Sequence, residues 1–170
     1  FWKKSKKTSK ERRRLAAIMF TDMKGFSSEI GRDEEGTIKK LGKYEKVMRD
    51  VIKKHDGRVV KTIGDSIMGD FESSVNAVKC AKEIQKELSA GDILVRIGIH
   101  VGDVIEKDGD LLGDAVNIAS RIEGICEPGE IYISEAVYKQ VKGKVDYKFK
   151  AIGLKELKHI EGKVKIYMVG

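Results

Sequence analysis

Ile93, Val95, Ile97, Ile99 and Val101 are each separated by one residue, the period of a strand packed on one face, and they predict the longest strand of the molecule. An apolar run from Leu15 to Thr21 reads as a buried strand that stops at Asp22, and a glycine-containing turn covers Lys24 to Gly31. Ile38, Leu41, Tyr44, Met48, Val51 and Ile52 recur at three- and four-residue steps, the stripe of an amphipathic helix that ends near Gly57. Arg58–Ile63 and Ser66–Phe71 are two β-prone runs around Gly64-Asp65, a pair suited to a hairpin turn that puts Asp65 at its tip. A second helix carries Ala77, Val78, Ala81, Ile84 and Leu88 and ends at Gly91. A third, after the turn at Asp108-Gly109 and Leu111-Leu112, carries Ala115, Ile118, Ala119, Ile122 and Cys126 and is ended by Pro128-Gly129. Glu130–Ile133, Val145–Ala151 and Val164–Val169 read as further strands, with a short helix near Glu135–Val141.

This order is β-α-β-β-α-β with strands appended. It predicts an α+β fold with a ferredoxin-like core, the sheet covered by helices on one face and free on the other. No internal repeat or linker divides the chain, so two stretches are expected: a basic tail or juxtamembrane linker over 1–14 and one folded domain over 15–170.

Charge changes this picture only at the start. Residues 1–14 hold eight Lys or Arg against one acid, Glu11, which accounts for the whole net charge of +7 and leaves a neutral body. A nucleic-acid-binding domain would carry its basic footprint on that body, so nucleic acid is not an expected partner. A basic tail is most often a solvated end. Phe1 and Trp2 ahead of the lysines also fit the cytoplasmic side of a membrane span in a longer parent protein, where an upstream sensor or transmembrane segment is a candidate partner, so the location expected is cytoplasmic. Cys80 and Cys126, each isolated on an apolar-periodic segment, read as buried reduced thiols, and three scattered histidines argue against a zinc site.

Candidate chemistry begins with acids in unusual places. Asp22 follows an apolar strand and Asp65 occupies a hairpin tip; in this topology the two can be neighbours, and a pair of carboxylates with hard oxygen donors suits Mg²⁺ or Mn²⁺. Either alone is an ordinary turn or strand-end residue. The loop around Gly25 and Phe26 offers free backbone N–H groups to phosphate, a weak signal by itself. Asn117 and Arg121 lie four apart on one helical face, an arrangement that suits a phosphate in motion and is also common on solvated helix surfaces.

Four motifs in order resemble the class III nucleotidyl cyclases: Phe-Thr-Asp-Met-Lys-Gly-Phe at 20–26, Lys-Thr-Ile-Gly-Asp-Ser at 61–66, Arg-Ile-Gly-Ile-His-Val-Gly at 96–102, and Asp110 through Arg121. The resemblance runs from Leu15 to about Val169. It implies that Asp22, Asp65 and the backbone carbonyl of Met23 bind two divalent cations, that Lys61 and Asp110 read adenine, that Asn117 positions the ribose, and that Arg121 stabilises the pentavalent phosphorus. It implies a phosphate-binding lysine late in the chain, best matched by Lys163 with Lys165 a near competitor. Guanylyl cyclases of the family place Glu and Cys at the two purine-reading positions, so Lys61 and Asp110 favour ATP. The implied protein is an adenylyl cyclase working as a homodimer with shared active sites. The rivals are a guanylyl cyclase and a nucleotide-sensing domain of the same fold without turnover.

Overall fold

In the computed structural model, residues 10–170 are described; most of the basic segment, 1–9, lies outside the described residues. The elements in chain order are β1 (Arg12–Met23), α1 (Phe26–Ile30), α2 (Glu34–Lys54), β2 (Arg58–Ile63), β3 (Ser66–Phe71), α3 (Ser74–Ser89), β4 (Val95–Lys107), β5 (Asp110–Leu112), α4 (Asp114–Gly124), β6 (Ile131–Ser134), α5 (Glu135–Val141), β7 (Phe149–Glu156) and β8 (Lys163–Val169). One mixed sheet runs β2-β3-β1-β4-β6-β8-β7, with β5 folded back on β4. Its first four strands are antiparallel neighbours in the ferredoxin-like order, and β6 adds on parallel to β4.

Alternation in β1 sorts the core into two faces. Ala17, Met19 and Met23 join Tyr44, Met48 and Ile52 of α2 and Ala77, Ala81 and Ile84 of α3 in the larger cluster, to which Val137 and Val141 of α5 also belong. Ala16, Ile18 and Phe20 point the other way and pack with Ala115 and Ala119 of α4. The core and its appended strands match the expected fold, but the second face is not free, because α4 lies on it. Glycine explains how: a Cβ built on Gly98 of β4 would overlap the Glu123 backbone of α4, and one on Gly102 would stand 2.9 Å from Ala115 Cβ. Without those side chains the helix settles directly on the strand.

Several boundaries differ from the sequence expectation, among them β4, which runs from Val95 to Lys107 rather than Ile93 to Val101. β1 starts at Arg12, inside the stretch read as tail, because Arg14 finds acid partners in Asp70 of β3 and Glu106 of β4. The Lys24–Gly31 turn contains the five-residue helix α1. The strand placed at Val145–Ala151 is β7 at Phe149–Glu156; Val145 and Tyr147 instead pack their apolar surface on the main core from an irregular segment. Cys80 and Cys126 are buried free thiols, as expected. None of the described helices is long and apolar enough to cross a membrane.

Candidate active site

β1 delivers Asp22 to the end of the sheet. One residue earlier, buried Thr21 meets the Tyr44 hydroxyl of α2 at 2.5 Å, which pins the strand end to the helix layer. The β2–β3 hairpin brings Asp65 to the same place: Gly64 turns the chain at φ 59°, and Asp65 Oδ2 accepts the backbone N–H of Met23 at 2.9 Å. Asp22, Met23, Gly25, Phe26 and Asp65 then line one open pocket of about 320 Å³. The expected neighbourhood of the two acids is therefore present. Gly25, at φ 70°, leads into α1, and half-buried Phe26 packs on the core beneath it.

Two residues at this site were not singled out from the sequence. Arg96 sits directly opposite Asp22 in the β1–β4 register and grips both its oxygens, Nε to Oδ1 at 2.8 Å and Nη2 to Oδ2 at 2.6 Å. That bidentate bond holds the guanidinium pKa above its ordinary value. Glu123 of α4 is the second, 8% exposed and 3.5 Å from Arg96 Nε. Burial first, then the neighbouring Asp22 carboxylate, push its carboxyl pKa well above the ordinary carboxylate range. The signals were available: a charged residue within the alternating run for Arg96, and an acid four residues after Ala119 on the apolar stripe of a helix for Glu123.

Among the described residues, no three of His, Cys, Asp and Glu converge as a ready metal shell. The donor set nevertheless suits hard cations: two carboxylates on an open pocket, with room for substrate oxygens and water to complete the coordination. Arg96 occupies Asp22 with the positive charge that a cation would replace.

Lys61 and Asp110 form a second cluster. Lys61 Nζ donates to Asp110 Oδ2 at 3.1 Å, across the gap between β2 and the start of β5, and Leu111 N–H donates to Asp110 Oδ1 at 2.8 Å. Desolvation opposes ionisation of Asp110, but those two hydrogen bonds outweigh it and the net pKa shift is downward. Neither residue lines the Asp22 pocket.

Asn117 is exposed and Arg121 half-buried on α4, and no hydrogen bond or ion pair joins them to either cluster among the described residues. Lys163 is exposed at the start of β8, opposite Glu156, and is likewise not joined to the other site residues. Its competitor Lys165 is drawn towards Glu135 at 3.8 Å and lies over the Tyr167 ring. One chain therefore presents an acidic pocket, a lysine–aspartate pair and a polar helix face as separate groups.

The description "Adenylate and Guanylate cyclase catalytic domain" matches residues 8–170. A Rhizobium meliloti protein named "Putative adenylate cyclase 3" is 39% identical over 92% of the chain, which spans only 28% of that relative's length. Among solved structures, an adenylate/guanylate cyclase/hydrolase from Silicibacter pomeroyi superposes with a TM-score of 0.88 at 34% identity, covering 94% of this chain and 98% of its own. A guanylate cyclase domain from Catenaria anguillulae, in complex with GTP, superposes with a TM-score of 0.81 at 27% identity, covering 95% of this chain and 98% of its own. With the sheet order, the strand-end acids and the four motifs in place, the chain belongs to the family of adenylate and guanylate cyclase catalytic domains.

Proposed function

We propose that this domain is an adenylyl cyclase that converts ATP to 3′,5′-cyclic AMP and pyrophosphate in a two-fold homodimer. The observation that carries the choice of base is the Lys61–Asp110 pair, at 3.1 Å. It offers one donor and one acceptor side by side, which match adenine N1 and the N6 amino group; guanine, with N1–H and O6, presents the opposite polarity. The guanylyl cyclase reading is disfavoured for that reason.

The reaction is in-line attack of the ribose 3′-oxygen on the α-phosphorus; the new bond closes the ring as the bond to the bridging oxygen breaks and pyrophosphate leaves with the electron pair. Both partners belong to one substrate molecule, so orientation and charge stabilisation are the protein's main tasks. Asn117 orients the ribose, and Arg121 carries the charge that develops on the α-phosphate. Gly25 and Phe26 flank the triphosphate, and Lys163 is the candidate for its far end. Asp22, Asp65 and the Met23 carbonyl would hold two divalent cations, Mg²⁺ or Mn²⁺, whose charge would make the 3′-hydroxyl more acidic and offset that of the phosphates; the 3′-hydroxyl proton is released to solvent.

The dimer reading draws support from the separation of groups within one chain. Pairing two chains about a two-fold axis supplies each site with acids from one and with Lys61, Asp110, Asn117 and Arg121 from the other. The segment ahead of β1 is proposed as the link to an upstream sensor or membrane span, with this domain on the cytoplasmic side.

Product assays with Mn²⁺ test the activity. ATP should yield cyclic AMP with GTP turned over far more slowly. Equal formation of cyclic GMP would overturn the base assignment, and nucleotide binding without turnover would overturn the enzyme.

A further inference from the structure

The turn that carries Asp110 is held by a residue with no part in the reading above. Arg58 opens β2, three residues before Lys61. Its Nη1 donates to the carbonyl of Gly109 at 2.9 Å, the residue immediately before Asp110. Its Nη2 donates to Asp70 Oδ2 at 3.2 Å and stands 3.8 Å from Glu106 Oε1.

The far end of this contact is firmly built. Asp70, in β3, is only 6% exposed and also receives Nη1 and Nη2 of Arg14 from β1. Arg14 Nε in turn bonds Glu106 of β4 at 3.0 Å. Two guanidiniums and two carboxylates therefore close a cluster across β1, β2, β3 and β4. Arg12 adds a looser ion pair to Glu106 at 3.9 Å, and a hydrogen bond runs out of the cluster from Arg58 to the Asp108-Gly109 turn, where both residues have positive φ, 51° and 80°. β2 thus grips the β4–β5 hairpin twice: Arg58 on the backbone of Gly109, and Lys61 on the side chain of Asp110.

The second grip is the one that matters for specificity. Lys61 and Asp110 are each about 40% exposed, at 39% and 40%, and an exposed pair does little to fix its own geometry. Substrate must also separate or share that pair when it inserts adenine. Some other contact has to keep the Asp110 backbone in register with β2 while the side chains change partners; Arg58 is also exposed, at 42%, but unlike Lys61 its guanidinium is fixed at the other end by buried Asp70, so its bond to the preceding carbonyl is placed to do this.

We propose that Arg58 is a positioning residue for base selection: anchored on Asp70 and Glu106, it holds the Gly109 carbonyl and so sets where Asp110 stands relative to Lys61. The inference rests on the reading of Lys61 and Asp110 as the purine-reading pair.

The test measures kcat and KM for ATP and for GTP in Arg58→Lys, Arg58→Gln, Asp110→Asn and the double variant Arg58→Gln with Asp110→Asn. Where GTP turnover is too slow, its inhibition constant against ATP serves in place of KM. Lys keeps the positive charge beside Asp70 and Glu106 but lacks the fork that reaches Asp70 and Gly109 together. Arg58→Lys should therefore keep the wild-type melting temperature yet lose about tenfold in preference for ATP over GTP, mainly through a raised KM for ATP, the scale of one charge-assisted hydrogen bond. The double variant should show no less preference than Asp110→Asn alone, since Arg58 acts through Asp110.

If Arg58→Lys and Arg58→Gln leave the preference within about twofold while Asp110→Asn collapses it, the positioning role is wrong and the base-reading pair stands. Multiplicative losses in the double variant would likewise overturn it. An Asp110→Asn variant with unchanged preference would instead remove the base-reading pair itself, and the inference with it.

Discussion

The acidic pocket and the lysine–aspartate pair are both charge pairs at strand ends, but they differ in how they are held. Asp22 has a side chain 17% exposed, gripped at both oxygens by Arg96, which also stands 3.5 Å from buried Glu123. Asp110 has a side chain 40% exposed, held by one flexible lysine and by the backbone N–H of the next residue. A partly buried bidentate pair is costly to break and demands another strong charge in exchange, whereas an exposed pair contributes little and is readily parted. The first suits a permanent electrostatic site for cations. The second suits a reader that opens for each substrate.

Removing an acid is the harshest way to break this contrast. Asp22→Ala or Asp65→Ala should cut cyclase turnover by at least about a thousandfold with the fold retained, because the proposed metal site needs both and its ligands act as a unit. Circular dichroism alongside a cyclic AMP assay checks it; near-normal turnover in either variant would remove that residue from the site. At the other region, Lys61→Glu with Asp110→Cys should lower kcat/KM for ATP by roughly a hundredfold and raise GTP use, because buried polar groups left unpaired penalise the wrong base. ATP preference that survives both changes would mean that other residues read the purine.

How much of this was legible beforehand depended on whether a residue's partner lies near it in sequence. Strand and helix periods along Ile93–Val101 and Ala77–Leu88 are local, and the structure has elements there, though β4 runs from Val95 to Lys107. The Gly64-Asp65 turn is likewise written in adjacent residues. That Asp22 and Asp65 share one pocket was foreseeable because an acid closing an apolar run or standing on a hairpin tip is odd in its own neighbourhood. The start of β1 was not, since Arg12–Arg14 look like tail until Asp70 and Glu106 are brought beside Arg14. Arg96 and Glu123 were missed for the same reason: each gains its role from Asp22, a residue far away in sequence. The placement of α4 on the second face follows from Gly98 and Gly102, and small residues in a strand do not by themselves reveal what approaches them.

Those two glycines sharpen the comparison further, because Gly98 lies under the acidic end of α4 and Gly102 under its start. Gly98→Ala forces a methyl group against the Glu123 backbone and should destabilise by about 1–3 kcal/mol; Gly102→Ala meets only the Ala115 methyl and should cost less. Denaturant melts rank the two, and an equal cost would show that α4 adjusts as a rigid whole.

The smallest effect is a pH dependence on the strand between them. His100 Nδ1 and Ser134 Oγ are 2.7 Å apart, and burial pushes the imidazole pKa down to about 4 from 6.5. Below pH 6.5 the unfolded chain takes up a proton that the folded one refuses, so this contribution to stability is full above that pH and is lost as pH falls towards 4, by at most about 1.4 kcal/mol per pH unit. The melting-temperature advantage of wild type over His100→Asn should therefore narrow between pH 7.5 and 5. A constant gap would place His100 outside the titration.

The central claim is that the two regions meet only across a dimer, and mixing two inactive variants tests it directly. In the proposed dimer, Asp22→Ala chains would lack the metal-binding acid and Arg121→Ala chains the transition-state charge, so each homodimer would be dead at both sites. In a mixed dimer one site carries both lesions and the other neither. With random pairing about half of the dimers are mixed, and roughly a quarter of wild-type activity should return. Subunit exchange verified by mass spectrometry with no recovery of cyclic AMP formation would place Asp22 and Arg121 in one chain's site and contradict the account.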